Sequence, residues 1–276
     1  MLTNRNPFEG TPVPQVTRCK CCQSPADIVG VVDFSRGGAD MIAQVRATGQ
    51  PLYPNSAVTT KVDPFMGWPI YYHRCRNCSF IFTRAFDAWD KEMFSRHVYN
   101  VDYVRHDPEY LTRHVETARL LVPRIGQVRQ QIRILDYGSG MGLLEAELKR
   151  QGFAQVESYD PFTRAQRPAG HFDLIVCIEV VEHVPDPVAT MADIFSFLKP
   201  DAGAVLFSTL CCPQAVVDQG IANWWYCMPR NGHISFYTPE SLTLLAQAGS
   251  LHYRQLDDYR HLMHHSARPE WLAGFI

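Results

Sequence analysis

The chain has 276 residues, 46% of them hydrophobic, and a formal net charge of −2 from 26 Lys and Arg against 28 Asp and Glu. That is enough apolar content for one large core with a small appended module, and it carries no basic excess of the kind that announces nucleic acid. No apolar run approaches the ~20 residues of a membrane helix, and the first residues lack the apolar core of a signal peptide. The expectation is a soluble cytoplasmic protein.

In chain order, residues 1–16 are polar and Pro-containing and read as a loose tail. Residues 17–84 read as a metal-binding module. Cys19-Lys20-Cys21-Cys22 and Cys75-Arg76-Asn77-Cys78 are two CxxC pairs. Each such turn places two thiolates on one side of a metal, and two turns complete a tetrahedral four-cysteine zinc site. The long separation between the pairs requires the intervening chain to fold back, as a β-ribbon entering along Tyr71-Tyr72-His73-Arg74 and leaving along Phe80-Ile81-Phe82-Thr83. Unlinked thiols and a redox dithiol are the alternatives, although a redox pair has no use for the second turn. Cys21 is a substitute ligand. Cys177, Cys211, Cys212 and Cys227 are scattered and read as small core or loop residues. Inside the module Arg36-Gly37-Gly38 and Gly49-Gln50-Pro51 signal turns, with a short helix over Met41–Val45.

Residues 85–131 read as a helical cap. Phe86, Trp89, Met93 and Phe94 share one helical face; Leu111, Val115, Ala118 and Val122 share another. The second helix is expected to begin at Pro108 behind Asp107 as its cap. Two readings stay open: these helices only pack on a sheet, or they roof a cofactor site with Tyr99, Tyr103 and His106 reaching the ligand.

Residues 132–276 hold the stretch around which the rest is organised. Ile134-Leu135-Asp136-Tyr137 ends a buried strand, and Gly138-Ser139-Gly140-Met141-Gly142 turns the chain into a helix running to Arg150. A glycine-rich strand-to-helix turn lets a ligand approach the backbone and points N–H groups at it. About twenty residues on, a second short strand ends at Asp160; in doubly wound folds an acid there hydrogen-bonds ribose hydroxyls. The pair indicates a nucleoside-type cofactor. That proposition fails if side chains plug the space above the glycines or if Asp160 faces away.

Pro161 to His171 is too short for both a helix and a third strand. A strand follows from Phe172 to Ile178, apolar as if buried on both faces, then Glu179-Val180-Val181-Glu182-His183-Val184-Pro185-Asp186-Pro187, a helix from Val188 to Leu198, and a strand from Ala204 to Leu210. Thr238-Pro239-Glu240 opens a further helix with Thr238 as its cap. Asn223-Trp224-Trp225-Tyr226 reads as a substrate lid or as packing, the lid being preferred. His261, His264 and His265 read as part of a solvated segment.

Asp136 through Gly142, Asp160, and Phe172-Asp173 through Pro187 resemble class I S-adenosylmethionine-dependent methyltransferases, and within them the ubiquinone-biosynthesis-type O-methyltransferases, over about residues 130–250. The cysteine module looks like the zinc-binding domain preceding some sugar C-methyltransferases, which are longer and carry a C-terminal domain not seen here. The resemblance implies an α/β fold: a Rossmann-like doubly wound sheet with an N-terminal four-cysteine zinc module and a helical cap. It implies Gly138, Gly140 and Gly142 along the methionine and ribose of S-adenosylmethionine, Asp136 beneath them, Asp160 on the ribose hydroxyls, and Ile178 and Glu179 flanking the sulfonium. The shortened Pro161–His171 segment departs from the family pattern, so no residue is assigned to adenine.

Glu182 and His183 are the catalytic candidates. Together with Glu179 and the later His233, two carboxylates and two imidazoles make a candidate divalent-cation site, magnesium for instance. Small-RNA terminal 2′-O-methyltransferases, which carry a similar Glu-x-x-Glu-His and a later His, associate that pattern with metal. The alternative is that Glu182 and His183 cap a helix and shape the site, with His183 at most a general base. The expected activity is methyl transfer to a small hydroxylated or sugar-like acceptor, with nucleic acid not expected as partner. The competing reading is a zinc-module RNA-binding protein or nucleotide 2′-O-methyltransferase, kept open by the aromatic and basic residues from Tyr71 to Arg76.

Overall fold

The computed structural model describes residues 13–35, 67–100, 103–163 and 166–275, apart from the side chains of Arg105, His106 and Pro108. The turn signals at Arg36–Gly38 and Gly49–Pro51, the short helix over Met41–Val45 and most of the N-terminal tail lie outside the described residues. The chain divides into two compact units, one of Met1–Pro108 with Cys212–Thr238, the other of Glu109–Cys211 with Pro239–Ile276.

The first unit is an antiparallel sheet. β1 (Val16–Arg18), β2 (Pro25–Asp33), β3 (Pro69–Cys75) and β4 (Ile81–Thr83) lie in that order, with Thr17 opposite Ala26, Ala26 opposite Cys75 and Tyr72 opposite Thr83. The fold-back expected between the CxxC pairs is this β2–β3–β4 ribbon. The register of β2 slips between Ile28 and Gly30, and the side chain of Ile221 packs so close to Gly30 that a Cβ there has no room. Phe34, Phe86, Trp89 and Phe94 form an aromatic core with ring centroids 4.7 to 6.2 Å apart. The helix read from Phe86 onward begins only at Lys91: α1 (Lys91–His97) is started by Asp90, whose extended backbone precedes the helix and whose carboxylate accepts the Met93 N–H at 2.8 Å. Phe86 and Trp89 are therefore turn residues packed into the core. A single-turn helix, α2 (Tyr103–His106), follows.

In the second unit the helix expected from Pro108 is broken. A 3₁₀ turn ends at Leu111, the Thr112 hydroxyl donates back to the Glu109 carbonyl at 3.2 Å, and α3 (Arg113–Ile125) starts afresh. Next come β5 (Arg133–Tyr137), α4 (Leu143–Arg150), β6 (Gln155–Tyr159), β7 (Leu174–Ile178), α5 (Pro187–Phe195) and β8 (Ala204–Ser208). β5 pairs in parallel with β6 on one side and β7 on the other, and β7 pairs in parallel with β8. The strand order thus reverses beside β5, and in open α/β sheets ligands bind outside the carboxyl ends of the strands at such a switch point. Among the described residues no strand extends the sheet beyond β6, as the short Pro161–His171 segment requires. Arg167 in that segment stacks its guanidinium 4.0 Å from the Phe197 ring and pairs with Asp193, whose other oxygen accepts the Tyr137 hydroxyl at 2.8 Å. One side chain so ties this connection to the sheet and to α5.

After β8 the chain enters the first unit. There α6 (Gln214–Gln219) leads to β9 (Ser235–Phe236), which pairs antiparallel with β4 as the fifth strand, Ile81 opposite Phe236. The Asn223–Tyr226 stretch, preferred above as a lid, is packing instead. Trp224 and Tyr226 are buried, with Trp224 5.2 Å from Phe236 and Tyr226 4.3 Å from His233, so withdrawing them would open the unit's own core. The Thr238 hydroxyl donates to the Cys78 carbonyl at 2.9 Å.

The second unit closes with α7 (Pro239–Ala248), β10 (His252–Gln255) and β11 (Arg260–His264), the last antiparallel to β8; its sheet runs β10-β11-β8-β7-β5-β6. His261 and His264 are therefore not on a solvated segment: both are buried on an interior strand. The core beneath collects Leu121 and Ile125 from α3, Ile134 from β5, Leu148 from α4, Val176 from β7 and Leu206 from β8. The two units change over near residues 108, 211 and 238, whereas the sequence suggests divisions after 16, 84 and 131. No helix among the described residues is long and apolar enough to cross a membrane.

Candidate functional site

At the switch point of the second unit, β5 delivers buried Asp136 and then the glycine hairpin. Gly138, Gly140 and Gly142 have φ of 74°, 49° and 75°, the left-handed region that glycine enters without a Cβ penalty. The hairpin is pinned to the end of β6 by Gly138 N–H on the Tyr159 carbonyl at 2.8 Å, and by Gly140 N–H on Asp160 Oδ2 at 2.9 Å. Asp160 therefore faces the hairpin. Its Oδ1 accepts the N–H groups of Phe162 and Thr163 at 2.7 and 3.1 Å. A carboxylate offers about four lone-pair positions, and these three bonds leave one beside Gly140.

Two of the glycines are also required by the chain's own side chains. A Cβ on Gly138 would collide with Val180, and one on Gly140 with the Tyr110 hydroxyl, which accepts the Met141 N–H at 3.3 Å. Tyr110 is thus the aromatic residue on the hairpin. Tyr99 and Tyr103, which reach a ligand in only one of the two readings left open, pack ring to ring at 5.2 Å in the first unit, and the Tyr103 hydroxyl donates to Asp107 at 3.2 Å; the side chain of His106 lies outside the described residues. Ser139 Oγ, within the hairpin, is buried with no hydrogen-bond partner among the described residues. Buried polar atoms are nearly always satisfied, so a ligand with a polar group fits this cradle.

β7 ends at Ile178, and Glu179 follows with φ 54°. A non-glycine residue there costs roughly 1–2 kcal/mol, and such strain gathers at functional sites. Ser208 holds it, its Oγ accepting the Glu179 N–H and donating to Oε1, both at 2.9 Å. Val181–His183 then make one 3₁₀ turn with Glu182 and His183 buried, His183 Nε2 lying 3.9 Å from Glu182 Oε1. Glu179, Glu182 and His183 thus follow directly from the strand end. Burial, reinforced by the carboxylates of Glu179 and Glu182, pushes the Tyr259 phenol well above its ordinary range, so Tyr259 stands beside them as a neutral O–H. Sequence reading missed both Tyr110 and Tyr259. Neither carries a local signal, because each reaches the site from an element distant in the chain.

In the first unit His233 is buried, and its Nδ1 lies 2.7 Å from the Tyr226 carbonyl. A carbonyl only accepts, so Nδ1 carries the proton and Nε2 the lone pair in the neutral ring, the tautomer usual for a metal-ligating imidazole. Cys19, Cys22, Cys75 and Cys78 converge, with one ligand atom of each within 4.8 Å of the others; Cys21 is outside this set. The Sγ separations include 3.4 Å for Cys22–Cys75, 3.6 Å for Cys22–Cys78 and 3.7 Å for Cys19–Cys78. These are far beyond a disulfide, and close to the ~3.8 Å that a tetrahedron with Zn–S bonds of about 2.3 Å requires. Backbone N–H groups of Cys21, Asn77 and Cys78 point at sulfurs from 3.3 to 3.4 Å away. Hydrogen bonds from Cys21 and Cys78 hold the Cys19 thiol far below its usual range. The donor set therefore fits zinc. The basic side chains around it are engaged within the unit: Arg76 with Asp27, Lys20 and Arg84 with Asp87, Arg74 with Gln214. Of the other cysteines, Cys177, Cys212 and Cys227 are buried and in no disulfide.

A family model described as a methyltransferase domain matches residues 98–255, more than half of the chain. The chain belongs to that methyltransferase-domain family. Among curated relatives, it is 27% identical over 157 residues to a ubiquinone biosynthesis O-methyltransferase of Neisseria meningitidis serogroup C, covering 47% of this chain and 60% of the relative. It is 31% identical over 104 residues to the enzyme of the same name from Yersinia enterocolitica, covering 28% and 42%. The chain thus spans about half the length of the curated relatives it matches. A solved magnesium protoporphyrin IX methyltransferase from Synechocystis, with bound S-adenosylmethionine, is 13% identical and covers 64% of this chain and 91% of its own, at a TM-score of 0.41.

Proposed function

We propose that the chain transfers the methyl group of S-adenosylmethionine to a hydroxyl of a small hydroxylated or sugar-like acceptor. The observation that carries this is the glycine hairpin locked to Asp160 at the switch point of the second unit, with the strained Glu179 at the end of the neighbouring strand. Methyltransferase family membership and the names of the O-methyltransferase relatives support the reaction class.

In this reading the cofactor supplies an electrophilic methyl on a cationic sulfur, and the protein's task is mainly alignment. Gly138, Gly140 and Gly142 line its methionine and ribose, Asp136 lies beneath, and the remaining acceptor position of Asp160 takes one ribose hydroxyl. Ile178 and Glu179 flank the sulfonium, the Glu179 carboxylate being held in place by Ser208. Where no cation is bound, His183 withdraws the acceptor's proton and Glu182 holds charge beside it. In place of that base, a divalent cation such as magnesium held by Glu179, Glu182 and His183 would lower the pKa of the acceptor hydroxyl. Zinc at Cys19, Cys22, Cys75 and Cys78 would be structural, a reading supported by the sulfur spacing.

The test is a metabolite-pool screen with methyl-labelled cofactor, with and without magnesium, on the parent and His183→Ala. Loss of general-base catalysis costs on the order of 10²- to 10⁴-fold in turnover. The expected outcome is a loss of that size with cofactor binding retained. Full turnover by His183→Ala removes the proposed base and metal ligand together.

A further inference from the structure

Of the side chains that meet the glycine hairpin, Tyr110 is a polar one with no part in the proposed reaction. Its hydroxyl accepts the N–H of Met141, just ahead of α4, and occupies the space beside Gly140 so closely that no Cβ fits there. The N–H groups of a strand-to-helix turn are the donors an anionic ligand group engages. Gly140 N–H is committed to Asp160 and Gly138 N–H to Tyr159. The Met141 N–H is instead engaged by a side chain from a separate short turn.

Tyr110 also sits where motion is cheap. It lies on a single 3₁₀ turn, whose hydrogen-bond geometry is poorer than that of an α-helix, and the turn is separated from α3 by the break at Thr112. Its neighbour Leu111 and its contact residue Met141 are both exposed, at 45% and 59%. Neither anchors the turn in the core. Asp160, by contrast, is fixed by three backbone bonds.

We propose that Tyr110 is a gate on the hairpin: its hydroxyl holds the Met141 N–H and the space beside Gly140 until an S-adenosyl ligand displaces it, releasing the turn that ends at Leu111. The proposal rests on the cofactor reading above. Ligand binding must break the tyrosine's contact before making its own, so the gate lowers apparent affinity by the fraction of time it stands closed.

The experiment is titration calorimetry of the full chain with S-adenosylhomocysteine, together with stopped-flow association rates, for the parent, Tyr110→Phe and Tyr110→Ala. Tyr110→Phe keeps the ring and removes only the oxygen that accepts from Met141, so it preserves the fold should Tyr110→Ala not. One neutral hydrogen bond of net 0.5–1.5 kcal/mol corresponds to about two- to ten-fold. Tyr110→Phe is expected to bind tighter by that factor with a faster association rate. Affinity equal to the parent's, or weaker, overturns the gate; a weaker value would make the hydroxyl a ligand contact. Failure of the parent itself to bind overturns the cofactor reading instead.

Discussion

The two units hold themselves together by different means. The second collects one largely aliphatic core under a mostly parallel sheet, and its strands β5, β7 and β8 are buried on both faces along nearly all their length. Among the described residues the first has five antiparallel strands, of which β1 and β4 have three residues each and β9 two. Sheets of that size have little apolar face to bury. Aromatic rings supply part of the deficit, and a zinc ion at the four converging cysteines, as proposed above, would supply the rest. Stability in the one unit is spread over many contacts; in the other it is concentrated at one point, where a metal can supply it.

The largest effect that separates them is therefore loss of the cysteine site. Chelation, or Cys78→Ser, is expected to unfold the first unit, since binding energy at a structural zinc site is folding energy. Hydrogen exchange should show the amides of β2, β3 and β4 losing protection while those of β5, β7 and β8 keep theirs. A zinc-free chain with unchanged exchange in β3 would remove the metal from the account. A smaller effect sharpens the comparison inside the second unit. Gly138→Ala places a side chain at φ 74° and against Val180, whereas Gly152→Ala, at φ 88°, meets nothing nearer than Arg129 Cδ at 3.6 Å. Both incur the left-handed cost of roughly 1–2 kcal/mol, and only Gly138→Ala adds the collision. Denaturant midpoints should rank Gly138→Ala well below Gly152→Ala, and S-adenosylhomocysteine binding should fall only in the former. Equal midpoints would mean that Val180 moves aside freely and the hairpin is not tightly built.

How legible each region was in the sequence follows the same division. The hairpin, Asp160, the short connection after β6 and the two CxxC pairs are local patterns, read from neighbours in the chain, and all appear where their spacing places them. What could not be read is set by pairing over long separations. β9 completes a sheet whose other strands precede it by about 150 residues or more, so residues 212–238 looked like a loop of the second unit and Trp224–Tyr226 like a lid. Tyr110 carries no periodic signal because the 3₁₀ turn interrupts the helical pattern at the point where it matters. His261 and His264 were misread for a related reason. A histidine-rich strand with charged neighbours looks exposed until β8 and β10 are known to flank it.

That last misreading leads to the smallest and most local of these effects, one confined to the second unit. His261 is fully buried, its Nε2 donating to the Thr209 carbonyl at 2.9 Å and its Nδ1 accepting from the Tyr253 hydroxyl at 2.9 Å. Burial pushes its pKa below the ordinary imidazole value, against the opposing pull of the Thr209 carbonyl and of Asp257. Burial also raises the Tyr253 phenol, with Cys211 contributing, so the phenol stays protonated and remains a donor. A group whose folded pKa is depressed binds its proton first in the unfolded chain. Its contribution is therefore intact above the unfolded value of about 6.5 and falls away as the pH drops from there through the folded pKa, by up to about 1.4 kcal/mol per pH unit. His264, shifted in the same direction mainly by burial, adds to the slope. Unfolding of the second unit followed between pH 7 and 5 should show this loss, and His261→Asn, which cannot titrate, should flatten part of it while lowering stability at pH 7. A variant whose stability falls with pH as steeply as the parent's would place the acid sensitivity elsewhere.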